Sequence, residues 1–249
     1  MSGLDLPSTL IILAALALGG LVKGATGAGA PVVAIPVIAA FFDARLAVAV
    51  MVTPNFVSNL LQLRTFATER VRGGFTLRFG LAGALGAIVG TAMLASLPEK
   101  TLTLIMAFAV VGYVGLRLAR PAFRLSEPAA RRAVVPAGLA AGVLQGAAGI
   151  SAPVALSFLN AMRLSRPTFI ATISAFFFVM SAVQMVALFV AGLLTPDIFV
   201  LSVVALAPLL AFMPVGAWIA RRLSPEGFDR VMLAMLTLLA LRLFLSVLF

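Results

Sequence analysis

The side chains able to do chemistry in this chain are few, and the foremost is a cation. Lys23 stands inside the run GGLVKGATGAGAP (19–31), one residue before Gly24. An ammonium in so apolar a stretch calls for a wet cavity, a counter-ion or a bound anion. The bland alternative is snorkelling to an interface. The acidic residues, Asp5, Asp43, Glu69, Glu99, Glu127, Asp197, Glu226 and Asp229, all fall at the ends of apolar runs or between them. No acid at depth is available to Lys23, which favours a bound anion. Two further runs hold polar groups: Thr53, Asn55, Ser58, Asn59 and Gln62 in one, Thr172, Ser174, Ser181 and Gln184 in the other. Asn55, Asn59 and Gln62 recur at i, i+4 and i+7, one face of a helix. Such groups serve equally to bond an oxyanion or to bond helix to helix.

Histidine and cysteine are absent. Their absence removes imidazole bases, thiolate nucleophiles, disulfides and most zinc or haem sites. With no deep carboxylate, a buried-acid proton relay has no carrier. No enzymatic activity, cofactor or metal is expected, because an intramembrane enzyme needs a nucleophile–base pair or metal ligands at depth. Binding is the chemistry that remains.

The elements that position these groups are membrane helices. Of 249 residues, 63% are AVILMFWYC and 10% are charged, with a mean hydropathy of +1.18. That is too little polar surface for a soluble chain. Several apolar runs approach the ~20 residues that cross a hydrocarbon core, and they lack the alternation of a membrane β-barrel. A net charge of +10 would suggest nucleic acid in a soluble protein. Here the arginines sit in short loops between apolar runs, the pattern that orients membrane proteins, so the expected partner is the lipid bilayer and not nucleic acid. The opening MSGLDLPSTLIILAALALGG has no basic n-region and runs straight into the first glycine motif, so it reads as part of the fold and not as a cleaved signal.

Sliding the chain on itself by 122 positions aligns GGLVKGATGAGAP (19–31) with AGVLQGAAGISAP (141–153) and Gln62 with Gln184. With a few residues of drift, Pro98-Glu99 then matches Pro225-Glu226, and Leu116-Arg117-Leu118 matches Leu241-Arg242-Leu243. The order of matches is kept over both halves, which marks an internal repeat. Residues 134–163 divide at Gly149 into arms of about fifteen residues, each about 22 Å long as a helix and short of a full crossing. A re-entrant hairpin fits that length.

Charge tests the count. If each Gly-rich element is a hairpin, one face receives fourteen arginines (64, 70, 72, 78, 117, 120, 124, 131, 132, 163, 166, 221, 222 and 230). The other receives Arg45, Lys100 and Arg242, a strong positive-inside bias. If each Gly-rich element crosses once, the basic residues split nearly evenly. The expected fold is therefore an all-α polytopic membrane protein of two inverted repeats, 1–125 and 126–249. The first holds a re-entrant helical hairpin at 6–42 and transmembrane helices at 45–63, 74–97 and 101–118. The second holds a hairpin at 134–163 and helices at 168–192, 197–220 and 228–249. Both termini are expected on the non-cytoplasmic side.

Opposed hairpins would bring their tips together near the midplane, where inverted-repeat transporters keep substrate. Unpaired amides at 28–32 and 150–154, at two positive helix ends, would favour an anion. The expected substrate-binding set is Lys23, Gly27, Ala28, Gly29, Ala30, Asn55, Asn59 and Gln62 from the first half. From the second come Gln145, Gly149, Ile150, Ser151, Ala152, Ser181 and Gln184. Gly24, Pro31, Gly146 and Pro153 would shape the turns. Gln145 takes the place of Lys23 in the second repeat, so the pseudo-symmetry breaks where substrate would sit. Gly80, Gly83, Gly86 and Gly90 form a small-residue stripe suited to close helix contact, within the chain or across a homodimer.

The pattern Gly-x-x-x-Gly-x-x-Gly-x-Gly/Ala-x-Pro, once per half, resembles the sulfite exporter TauE/SafE family over essentially the whole chain. Carried over, its residues are Gly20, Gly24, Gly27, Gly29 and Pro31, then Gly142, Gly146, Gly149, Ser151 and Pro153. The family's commoner Gly-Gly-Gly run is Gly-Ala-Pro and Ser-Ala-Pro here. The resemblance implies transport of small sulfur-containing or organic anions, such as sulfite, sulfonates and sulfoacetate, across a bacterial inner membrane. The function expected is a secondary transporter, an exporter working by alternating access. An anion channel is the alternative, and a non-transporting scaffold the third reading. An inside-negative potential contributes about 2.3 kcal/mol per charge per 100 mV toward anion export. The coupling ion, if there is one, is a proton carried with the substrate or sodium held by hairpin carbonyls.

Overall fold

The computed structural model of the chain describes residues 6–119 and 124–219, with isolated positions 222, 234, 237, 238, 241 and 245 beyond them. The expected last helix, 228–249, lies outside the described residues apart from those positions. Among the described residues the structure is helical, joined by short turns. In chain order come α1 (Leu6–Thr26), α2 (Ala30–Phe41), α3 (Ala44–Phe66), α4 (Phe75–Ser96), α5 (Glu99–Ala119), α6 (Glu127–Ala148), α7 (Ala152–Ala161), α8 (Arg166–Val190), α9 (Pro196–Val204) and α10 (Leu206–Ile219). Pro208 cannot donate to the Val204 carbonyl four residues back, and α9 gives way to α10 there. The two still form one apolar stretch, Pro196–Ile219. Together with α1, α3, α4, α5 and α8 it is long and apolar enough to cross a membrane.

The Gly-rich elements are pairs of unequal arms. α1 and α6 are 21 and 22 residues long, whereas α2 and α7 are only 12 and 10. The long arms are about 32 Å and the short ones about 15–18 Å. The fifteen-residue arms expected for 134–163 are therefore replaced by a long incoming and a short outgoing helix. α6 starts seven residues early because Ser126-Glu127-Pro128 is a helix start, with proline in the first turn and an acid at the positive end. The chain reverses at Gly29 (φ 96°) and at Gly149 (φ 68°), backbone angles that L side chains rarely adopt.

The repeat reappears in the packing. α1 packs along α10, and α4 along α6, with backbone against backbone. A Cβ on Gly20 or Gly24 would collide with the carbonyls of Leu209 and Met213, and one on Gly216 with that of Leu21. In the other pair, Cβ atoms on Gly142, Gly146 and Gly90 would collide with the carbonyls of Gly83, Ala87 and Val143. Each contact of the first set maps onto one of the second by adding 122 residues on the hairpin helix and subtracting 126 on its partner. The glycine stripe on α4 is spent inside the chain. Gly86 and Gly90 abut α6, while Gly80 and Gly83 abut Val179 and Phe176 of α8. It is not a free dimer face.

α3 and α8, equivalent under the repeat, lie against each other and run antiparallel. Asn55 bonds Ser181 while Gln62, two turns further along α3, bonds Ser174, two turns back along α8. Phe56 stacks on Phe178 between them, ring centroids 4.9 Å apart. Pro54 leaves the Val50 carbonyl without its helical donor, and Ser202 of α9 supplies one at 2.8 Å. At the start of α3, Arg45 clasps Glu99 at 3.0 Å and the carbonyls of Leu94 and Leu97, tying that end to the α4–α5 turn.

Candidate functional site

Lys23 is fully buried, one helical turn before the α1–α2 break. Its ammonium donates to Asn59 Oδ1 at 2.8 Å, and no carboxylate among the described residues pairs with it. Asn59 Nδ2 donates to the carbonyl and side-chain oxygens of Asn55 at 2.6 and 2.8 Å, and Asn55 Nδ2 donates to Ser181 Oγ at 2.9 Å. One buried chain of hydrogen bonds thus runs from the first Gly-rich element, across the middle of α3, into α8. A second network lies one turn on along α8, on the same face as Ser181. There Gln184 Nε2 donates to the Gln145 carbonyl at 3.2 Å, Gln145 Nε2 approaches Gln184 Oε1 at 3.5 Å, and Ser151 Oγ donates to Gln145 Oε1 at 3.0 Å. Half-buried Gln62 accepts from Ser174 at 3.2 Å. Lys23, Asn55, Asn59, Ser181, Gln145, Gln184 and Ser151 are therefore brought together in two adjacent clusters. Lys23 and Gln145, equivalent under the repeat, each bond the helix that follows their own hairpin.

The two breaks have different helical neighbours. Gly27 packs on Ile170, the fifth residue of α8, and Gly149 packs on Ile35 and on Val48, the fifth residue of α3. Because α3 and α8 are antiparallel, those positions lie toward opposite ends of the pair. Continuing the pairing puts Val48 level with Leu188, roughly 27 Å of helical rise from Ile170. That rise separates the two packing contacts and not the breaks themselves: Ile35, six residues or about 9 Å of rise along α2 from Gly29, touches Gly149, so the second break lies against the short arm of the first. The middle of the pair is held by Asn55, Asn59 and Ser181.

The amides at the breaks are also more fully used than expected. Ala28 N donates to the Thr26 hydroxyl at 3.3 Å, which also bonds the carbonyls of Val22 and Ala28. Gly27 N and Gly149 N cap back onto the Lys23 and Gln145 carbonyls, both at 2.7 Å, and Val32 N and Val154 N onto Gly29 and Ser151, both at 3.1 Å. Pro31 and Pro153 have no N–H to place. The amides of Gly29 and Ala30, and of Ile150, Ser151 and Ala152, donate to no group among the described residues, and these residues are buried. Buried backbone donors are nearly always paired, so each break carries a small set of unpaired N–H groups at a helix N-terminus, where partial positive charge collects.

Three contributors escaped the sequence reading. Thr26 lies in the motif, but a threonine between Ala25 and Gly27 gives no hint of a carbonyl clamp. Ser202 is a lone hydroxyl in an apolar span, a signal available in hindsight. Arg166, counted only as a loop charge, donates to the Ala25 carbonyl at the first break.

The family model of the sulfite exporter TauE/SafE matches residues 11–243, nearly the whole chain. No curated protein and no solved structure matches it.

Proposed function

This chain belongs to the sulfite exporter TauE/SafE family, and from that premise we propose that it exports a small organic or sulfur-containing oxyanion, of the sulfite, sulfonate or sulfoacetate class, across the bacterial inner membrane. The observation that carries the reading is Lys23, a wholly buried ammonium whose one hydrogen-bond acceptor among the described residues is a neutral amide oxygen. An ion so placed costs several kcal/mol unless a counter-charge arrives, and an oxyanion supplies that charge.

The binding position is the polar middle of the α3–α8 pair, with Lys23 as the charge and Asn59, Asn55 and Ser181 as neutral partners that exchange their mutual bonds for bonds to substrate. The two breaks, toward opposite ends of that pair, are the thresholds the anion passes on each side. This geometry suits alternating access: one buried polar middle and two equivalent, oppositely placed ends related by an inverted repeat. The short arms α2 and α7, too short to cross, support reading the Gly-rich elements as re-entrant. A scaffold would also bond its polar stripes helix to helix. It has no use, however, for an uncompensated ammonium or for unsatisfied amides at both breaks, and those favour the carrier.

The test is flux in proteoliposomes holding the full chain, loaded in turn with sulfite, a short alkanesulfonate, sulfoacetate, sulfate and acetate, with and without sodium. Saturable, voltage-sensitive efflux of one sulfur oxyanion, accelerated by the same anion outside, is expected. Unsaturable flux without exchange would replace the carrier by a channel. No flux across the panel would defeat the transport reading.

A further inference from the structure

We propose that Arg166 takes up the oxyanion first, at the end of the molecule where α8 begins, and passes it over the α1–α2 break to Lys23. The inference rests on the carrier reading above and names a residue which that reading does not use. Arg166 opens α8, and its Nη2 donates to the Ala25 carbonyl at 3.4 Å, a long bond. Its neighbour one turn on, Ile170, carries the packing against Gly27. The guanidinium therefore sits on the break itself. It lies two residues of chain from Lys23 on one side and four from the free amide of Gly29 on the other.

Exposure divides the two cations. Arg166 is exposed, whereas Lys23 is fully buried. One is a charge that meets solutes, the other a charge that waits beyond the break. Two other arginines beside the hairpin helices are already committed: Arg45 is ion-paired to Glu99 and Arg131 to Glu127. Among the described residues no carboxylate pairs with Arg166. Of its five N–H donors, the structure places one, on a neutral carbonyl. A planar guanidinium takes two oxygens of a sulfonate, sulfite or carboxylate side by side. Arrival of such a group would exchange the weak Ala25 bond for charge-assisted ones and free the break at the moment of loading. Ala25 also lies in the last turn of α1, so a purely structural role is the competing account: an arginine capping a helix C-terminus.

The two accounts part in kinetics. The experiment uses full-length protein in proteoliposomes of defined orientation, with sulfite and a short alkanesulfonate as probes. Arg166→Gln should raise KM about tenfold for substrate presented on the face where α8 begins, a change of one charge-assisted bond. KM on the opposite face, Vmax and melting temperature should be unchanged. The salt dependence of KM on the near face should flatten, since an exposed steering charge has gone. Arg166→Lys, which keeps charge but not the paired donors, should recover part of the affinity and all of the salt dependence. A KM within twofold of wild type, or a loss confined to Vmax and melting temperature, would show a cap and overturn the proposal while leaving the carrier standing. Absence of flux in the wild-type chain would instead bring down the carrier reading, and this one with it.

Discussion

Lys23 carries two opposed demands, and separating them is the residue-scale test. As a component of the folded chain, an ammonium with one neutral acceptor is destabilising, and replacing it by a neutral side chain of similar reach relieves that. As the counter-charge of an oxyanion it is indispensable. Lys23→Gln, which keeps an N–H donor for Asn59 Oδ1, is therefore expected to hold or raise the melting temperature of the purified protein. Flux of its anion should fall on the order of a hundredfold, the scale of losing a buried charge partner. A structural Lys23 gives the reverse pattern, with a lower melting temperature and near-normal flux. These residues could be picked out in the sequence because each is polar in an otherwise apolar run, where polarity is expensive and needs a reason. Arg166 could not be, because an arginine in a loop already has one reason, orientation in the membrane, and that reason hides any other. Nor could the pairing of Asn59 with Lys23, which depends on the lysine side chain of α1 reaching across to α3.

Among the helices, glycines decide how closely the pairs approach. On α6, Gly146 faces the carbonyl of Ala87 and the amide of Thr91 with no room for a methyl group, whereas Gly112 on α5 has open space around it. Both are helical, so Gly→Ala has the same intrinsic benefit of roughly 0.5–1 kcal/mol at each, and only packing separates them. Gly112→Ala should raise thermal stability by about that amount. Gly146→Ala should lower it by about 1–3 kcal/mol as α4 and α6 are forced apart, and Gly24→Ala should do the same between α1 and α10. Equal melting temperatures for the Gly112 and Gly146 variants would show that these backbones are not locked together. The 122-residue offset was written in the sequence because the close contact admits glycine alone, and the contact occurs twice. The arm lengths were not: Ala, Gly and Leu run on without a stop, and only Ser126-Glu127-Pro128 says where α6 begins. The pairing partners were hidden too, since α1 packs with a helix of the other repeat and nothing local encodes that exchange.

At the scale of the whole molecule, the direction of two helices constrains how often the chain crosses the membrane. α3, α4 and α5 are each of crossing length. If α6 and α7 together made one crossing, α8 would run parallel to α3. If they enter and leave by the same face, α8 runs antiparallel. The bonds Asn55–Ser181 and Gln62–Ser174 are antiparallel, which favours the second count and agrees with the arginine bias of fourteen to three obtained from it. If the first Gly-rich element counts the same way by the repeat, and if the expected helix 228–249, outside the described residues, supplies the last crossing, three crossings per half would sum to an even number and put both ends of the chain on one side. Parity alone leaves that side open; the positive-inside rule would select it, with the arginine-rich loops in the cytoplasm and both ends outside as the expected arrangement. Fusions of an alkaline phosphatase and of a fluorescent protein that matures only in the cytoplasm, made separately at each end, test both steps. Active phosphatase and dark fluorophore are expected at both ends. Opposite signals at the two ends would refute the even count, and with it the inverted repeat. Cytoplasmic signals at both ends would keep the inversion and reverse the molecule. The α8-start face would then lie outside, and Arg166 would receive substrate from the exterior, turning the proposed exporter into an importer.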